Sequence, residues 1–491
     1  MSRSTTWFAW SLAILSAGIL FQAVHQAHAA ADDAQGRVEI VVHEWGTFTV
    51  LQDDNGQQLG GLNVDDEPVP PFVYNLRRDL LTPAIASLYY SKGLPARLPF
   101  VAVRLETPVI YFYPVPGARP RPFDVEVSLH GGWLTEFFPQ AEATAPGLDL
   151  KPNRLSVFRG DGPRFRPITA DTIGKLAWRG LTLGGNRPVP TTTEKVWLAP
   201  RATKAVPVIT RSGESEKYLF YRGVGNFSAP LTVRQTPSDG KLEIRGNFDE
   251  ALASGEEANV SAVWLVHIRP DGRAAFRSVG PLTASADRNR VLATASSRFA
   301  EEDYRAEIMN ELKAKMHTAL TAEGLFADEA HAMLATWERA YFKTHGLRLF
   351  FTVPQVWTDA RMPLRISAPS RISRIMMGRI ELVSPEQRVL LTKLASATIS
   401  DRRWFDKAPD SPARRQLAAG RSDFGNLGAP IPADFQAYLD MGRFRNALVV
   451  AENRARPTPS LQKFIKLYQL DRFDPPVATP RPLRTAQRAP R

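Results

Sequence analysis

The sequence predicts an α+β fold: an N-terminal β-rich part of sandwich-like or barrel-like build, followed by a mixed helical part. Two observations carry this. From Val38 to about Leu292, short β-branched and aromatic runs are broken by Pro and Gly, with few stretches of helical period. After Ser297 the apolar residues recur at the spacing of amphipathic helices instead. The 491 residues are also too many for one ordinary core, which sets the expected domains at 36–295 and 296–474.

In the first part, Val38 to His43 reads as a strand running on towards Asp54-Asn55-Gly56, and Asn-Gly is a strong hairpin signal. Phe123 to His130 alternates, with apolar residues on one face and acids plus His130 on the other. Further strands are expected at 100–113, 196–198, 218–222, 230–234, 242–246 and 262–269. In the second part, Ile308, Leu312, Met316 and Leu320 share a helix face that stops at Gly324. A second helix is expected from Asp328 to His345, then buried strands from Leu347 to Val353 and from Ile375 to Val383. Ser384-Pro385-Glu386-Gln387 has the form of a capping box, and three helices are expected near 433–440, 443–455 and 461–469.

The ends read differently. Arg3, an apolar run from Trp7 to Val24 and small residues at Ala27 to Ala31 have the grammar of a signal peptide over residues 1–31, cleaved after Ala29 or Ala31. The expected location is therefore periplasmic or secreted, with no transmembrane segment in the mature chain. Residues 475–491, rich in Pro and Arg without an apolar period, are expected to form a disordered basic tail. The chain has no Cys, which removes disulfides, thiolate metal ligands, Cys nucleophiles and lipid-anchored lipoprotein processing together.

The formal charge of +12 favours anionic partners. Its basic residues are interleaved with acids, so anionic cell-envelope components are expected rather than nucleic acid. The serine-hydrolase elbow, Walker and dinucleotide motifs are missing. Ser460-Leu461-Gln462-Lys463 has S-x-x-K spacing, but Ser460 reads better as a helix N-cap. His43-Glu44 opens a zinc-protease pair whose second His is absent. His331, Glu338 and His345 lie seven apart, too far for one ion, and read as a solvated helix face. Asp53, Asn55 and Gln57 imitate a calcium loop without its Gly and Glu and are read as a hairpin turn.

What remains is a set of polar residues in the β-rich part. His43, Asp66 and His130 are candidate metal ligands, and Glu67, Glu106 and Glu136 are candidate catalytic carboxylates. Imidazole and carboxylate together can hold a divalent metal whose bound water attacks a substrate; alternatively these acids cap turns or pair with Arg.

The segments His43-Glu44-Trp45-Gly46-Thr47-Phe48-Thr49, Asp66 to Phe72, Glu106 to Tyr113, Gly132 to Glu136 and Tyr221-Arg222-Gly223 resemble a family of uncharacterised exported bacterial proteins. The likeness continues around Glu329 to Pro354. Phe137-Phe138 stands where relatives often carry Trp-Tyr. The resemblance implies export and attaches no activity. Two functions of different class follow as expectations. One is an exported envelope protein binding an anionic or glycan-like surface through aromatic and Arg-rich loops. The other is a metal-dependent hydrolase with its site in the β-rich part.

Overall fold

A computed structural model describes residues 38–63, 69–76, 90–91, 94–95, 98–148, 166–248, 251–252, 256–407 and 430–470. The expected signal peptide, the expected tail and the run Asp65-Asp66-Glu67 lie outside these residues. The fold is α+β, β-rich in its N-terminal part with helices following. No described helix is long and apolar enough to cross a membrane.

A 15-stranded open sheet forms the frame, so the barrel alternative does not hold. Its central strands are β1 (Ile40–Leu51), β2 (Val103–Pro114), β3 (Phe123–His130), β4 (Gly132–Phe138), β5 (Ile173–Leu183), β6 (Leu219–Gly225), β7 (Val263–Ile268), β8 (Ala274–Ser278), β9 (Gly346–Val353) and β10 (Ser370–Leu382). They lie in the order β5-β4-β6-β2-β1-β10-β9-β7-β8, with β3 beside β5. The boundary expected near residue 295 does not divide this sheet. Strands β9 and β10 come from the part expected to be a separate helical domain, yet they sit in its middle. The reason is the register of β10, which pairs in parallel with β1 from Ile40↔Ser370 to Leu51↔Glu381.

Burial follows strand alternation. On β1, Ile40, Val42, Phe48 and Val50 face a core shared with the small strands Leu231–Thr236, Lys241–Gly246, Glu257–Val260 and Leu282–Ser285. That face is sandwich-like. Trp45 faces the other way, into a core closed by α1 (Lys195–Arg201), α2 (Ile308–Ala322), α3 (Ala327–Thr336) and α4 (Glu338–Phe342). Both faces of β1 are therefore covered, and nearly all of its residues are buried. A third core holds α6 (Pro385–Ser396), α7 (Ala433–Asp440), α8 (Arg445–Ala455) and α9 (Pro459–Tyr468); α5 (Gln355–Arg361) sits on the sandwich side through Trp357.

Local chemistry explains most elements. Ser384 accepts from the Gln387 N–H while Gln387 Oε1 accepts from the Ser384 N–H, so the capping box starts α6 as expected. Asp53 Oδ1 accepts from the N–H groups of Asn55 and Gln57, and Gly56 takes a φ of 76°, which makes this segment a turn. Three expectations are corrected. The stretch 196–198 is helical: Trp197 packs among Phe72, Phe138, Tyr218 and Phe220 and donates to Glu216, so tertiary packing overrides β-propensity. The helix expected from Asp328 to His345 breaks at Trp337 into α3 and α4. The N-cap of α9 is Thr458, whose Oγ1 accepts from the Leu461 N–H, while Ser460 donates to the Ala397 carbonyl.

A row of bulges crosses the sheet at its centre. Gly46 of β1 stands opposite both Thr107 and Pro108 of β2, and the register shifts again between β6 and both β2 and β4. Thr107 takes a φ of 54°, an uncommon backbone for a residue with a side chain. A Cβ on Gly46 would lie 2.9 Å from the Pro108 Cα, a backbone atom that cannot swing away. Gly46→Ala is therefore expected to destabilise the protein by about 1–3 kcal/mol. Chemical denaturation checks this; an unchanged midpoint would count against close packing at the bulge.

Candidate functional site

On the helix-covered face, the strand register assembles a patch from three strands. Tyr111 and Tyr113 of β2 pair with His43 and Val41 of β1, which pair in turn with Ser373 and Arg371 of β10. Residues paired across a sheet point to the same side, so these side chains share one surface. Val41, His43, Tyr113, Arg371 and Ser373 line a cleft of about 480 Å³ together with Phe326 and the turn at 114–116.

The floor of this cleft is a buried hydrogen-bonded set. Glu329 at the start of α3 is fully buried, and its Oε2 lies 2.7 Å from His43 Nδ1. Its Oε1 accepts from the Tyr113 hydroxyl at 2.8 Å, and Oε2 also accepts from the Phe326 N–H at 2.8 Å. Burial and the neighbouring Glu329 raise the Tyr113 phenol far above its ordinary value, so it stays protonated and donates. With two other donors aimed at Glu329, this carboxylate is the acceptor and His43 Nδ1 carries its proton. That assignment leaves Nε2 as the ring's acid–base atom. The ring of Phe326 lies 4.6 Å from that of His43 at a tilt of 41°, and 4.9 Å edge to face from that of Tyr113. Phe326 is itself 45% exposed, among the few large apolar side chains so placed in the described residues.

A second polar group lies along the same face of the sheet, where the bulges are. Glu106 pairs with Arg104 at 3.5 Å and Glu136 with Arg222 at 3.7 Å; Arg222 also donates to the Thr107 hydroxyl at 3.5 Å. Further along, Glu381 meets Arg379, Arg348 at 3.4 Å and Arg443 at 3.6 Å. Burial acts against the Glu381 charge, but the three cations outweigh it and hold its carboxyl below the ordinary range. Arg348 is brought down to about 9 by burial. Opposite, on the sandwich side, buried Glu44 accepts from Tyr221 and from Arg374 Nε at 2.5 Å each.

The structure thus separates the residues expected to form a metal centre. His43 is tied to Glu329 on the helix-covered face. His130, at the end of β3, lines a different cavity with Trp357 and Arg361, and Trp357 packs on Phe48 in the sandwich core, across the sheet. Glu106 and Glu136 are engaged with arginines, and Asp66 and Glu67 lie outside the described residues. Among the described residues no group of three His, Asp or Glu is placed to hold a metal ion. Alternation assigns each histidine to one side of its own strand, but the chosen sides of different strands need not be the same side of the sheet. His331, Glu338 and His345 do not even share a helix, because of the break at Trp337; His331 is exposed and Glu338 pairs with Lys313. Glu329, Phe326, Arg371 and Ser373 were not anticipated. The only local sign of Glu329 is its position three residues after Phe326, at a helix start.

No protein-family model matches the chain, and no curated protein matches it. Among solved structures, it is similar to the mu homology domain of Fcho1 from Danio rerio with a bound Eps15 peptide, at 8% identity and a TM-score of 0.25 over 71% of this chain and 97% of that one. The yeast delta-COP-I mu-homology domain in complex with a Dsl1 WxWxV peptide gives 7% identity and a TM-score of 0.18, over 70% and 96%. Likenesses this distant assign no function.

His130 offers a check on its surroundings. Burial, then Arg361 and Lys175, push its pKa below the ordinary 6.5. The unfolded chain therefore binds a proton at this site that the folded one resists, and stability is lost as pH falls below 6.5. His130→Gln is expected to gain in urea midpoint relative to the unsubstituted protein between about pH 7 and about pH 5. A constant difference across that range would contradict the partial burial of His130 beside Arg361 and Lys175.

Proposed function

We propose that this protein is an exported envelope protein that binds an acidic glycan in the cleft of His43, Tyr113 and Phe326. The observation that carries the reading is the half-exposed ring of Phe326, held over a buried, oriented imidazole in a cleft that Arg371 also lines. An apolar ring face stacks on a sugar face, while a guanidinium pairs with a carboxylate or phosphate in a planar, two-pronged contact. The turn leading away from the cleft adds exposed Arg119 and Arg121, which extends the positive rim. The cleft volume is in the range of small-ligand sites. The net charge of +12 and the signal-peptide grammar of residues 1–31 agree with an anionic partner met outside the cytoplasm.

Isothermal titration with a glucuronate-containing oligosaccharide tests this. Binding is expected at low salt and is expected to weaken as salt rises, because exposed charges are screened. Arg371→Ala and Phe326→Ala are each expected to weaken it by about tenfold, equivalent to about 1.4 kcal/mol. No heat at low salt, or equal affinity for a neutral oligosaccharide of the same length, would overturn the reading.

A further inference from the structure

Resting on that reading of the cleft, we propose that it is also catalytic: Ser373 is a nucleophile, His43 its base and Glu329 a positioning residue, together removing O-acyl groups from the bound acidic glycan.

The parallel register is the first support. Ser373 is the direct partner of His43 on the neighbouring strand, both side chains emerge on the helix-covered face, and both line the cleft. Parallel neighbours lie about 4.8 Å apart between strands. Among the described residues no hydrogen bond joins Ser373 to His43, and catalysis requires the hydroxyl to turn to Nε2 once a substrate fills the cleft, as apo catalytic contacts commonly do. The second support is the His43–Glu329 contact at 2.7 Å, which ties Nδ1 to a buried carboxylate and leaves Nε2 to accept a proton. Thirdly, the described residues lining the cleft include no Asp or Glu, and Glu329 behind them is occupied by three donors. Glycosidic cleavage ordinarily uses two carboxylates flanking the bond. Acyl transfer needs a nucleophile, a base and a cationic or N–H group at the developing oxyanion. Arg371, two residues before Ser373 and on the same face, supplies the cation.

The chemistry balances with water as the only co-reactant. Ser373 Oγ attacks the ester carbonyl carbon and forms a C–O bond, and its proton passes to His43 Nε2. Collapse of the tetrahedral intermediate breaks the bond to the sugar oxygen, which takes the proton from His43 and leaves as the free alcohol. Water then attacks the acyl-serine and gives one proton to His43. When the bond to Ser373 breaks, that proton returns to Oγ and the carboxylic acid departs.

The test uses the full chain and a fluorophosphonate, which phosphonylates an activated serine with loss of fluoride. Peptide mass mapping is expected to place one adduct on Ser373, absent from S373A. Labelling of H43A is expected to be at least about 100-fold slower, the contribution of a positioned general base. In E329Q the midpoint of the pH–labelling profile should move to lower pH, since loss of the anion disfavours the imidazolium; a merely structural role for Glu329 would leave it in place. Thermal unfolding of S373A, a small substitution, controls for folding. No adduct on Ser373, or labelling of H43A at the unsubstituted rate, overturns the proposal. Oligosaccharide titration of the same preparations separates the two ideas: binding without labelling sinks the catalytic inference alone, whereas labelling without binding sinks the glycan.

Discussion

The parallel pairing of β1 with β10 is the contact on which the rest of the molecule depends. It joins a strand near the start of the described chain to one more than two thirds of the way along it, register by register over the length of β1. A parallel pair cannot be closed by a short turn, so the intervening chain must leave the sheet and return. Here that excursion contains most of the other strands and the helices that cover one face. The pairing is locked by charge as well as by backbone. Arg374 of β10 donates to buried Glu44 of β1 and reaches Asp359 on α5 at 2.9 Å. Burial works against its charge, yet Glu44 more than compensates and raises the guanidinium's pKa. Removing one member of such a pair costs about 3–5 kcal/mol, because the other is left charged in the interior.

The same register accounts for the functional surface. It sets Ser373 beside His43 and Arg379 beside Thr49, and it brings α3 close enough for Glu329 to meet His43. Arginine dominates the buried polar groups on this face, with Arg104, Arg348 and Arg379 fully buried. Buried ion pairs are poor sources of net stability compared with apolar packing. Their fixed partners and bulged backbone, with Thr107 at positive φ, instead define one arrangement of the sheet centre. Sheet neighbours differing by one residue would place these charges against the sandwich core.

How much of this was legible in the sequence depended on whether the determinant was local. The helices over 308–322, 385–396, 433–440 and 459–468 were readable because apolar spacing, caps and Pro at the first turn are written within a dozen residues. Strands β2, β3, β6, β7 and β9 were likewise marked by alternation and β-branched runs. The segment 196–198 was not, because its helix exists to insert Trp197 between rings supplied by distant strands. Nor does a change from strand-like to helical pattern reveal that later strands return to the first sheet. Of the chemistry-bearing residues that stood out in the strand-rich region, His43 lies at the site, while Glu106, Glu136 and His130 lie elsewhere on the sheet. Their partners could not be read, since Glu329 lies 286 positions from His43 and the contact depends on tertiary packing alone.

Because β1 obtains one of its two neighbours from β10, the N-terminal strands are expected not to fold without the later chain. Expression of residues 38–295 alone, followed by urea unfolding monitored through tryptophan fluorescence, tests this most directly. The predicted result is a broad, non-cooperative change with no native baseline, while the full chain unfolds in a cooperative transition. A fragment that unfolds cooperatively, with the tryptophan spectrum of buried rings before the transition, would show that the β-rich part is an independent domain and would contradict the sheet that spans both halves.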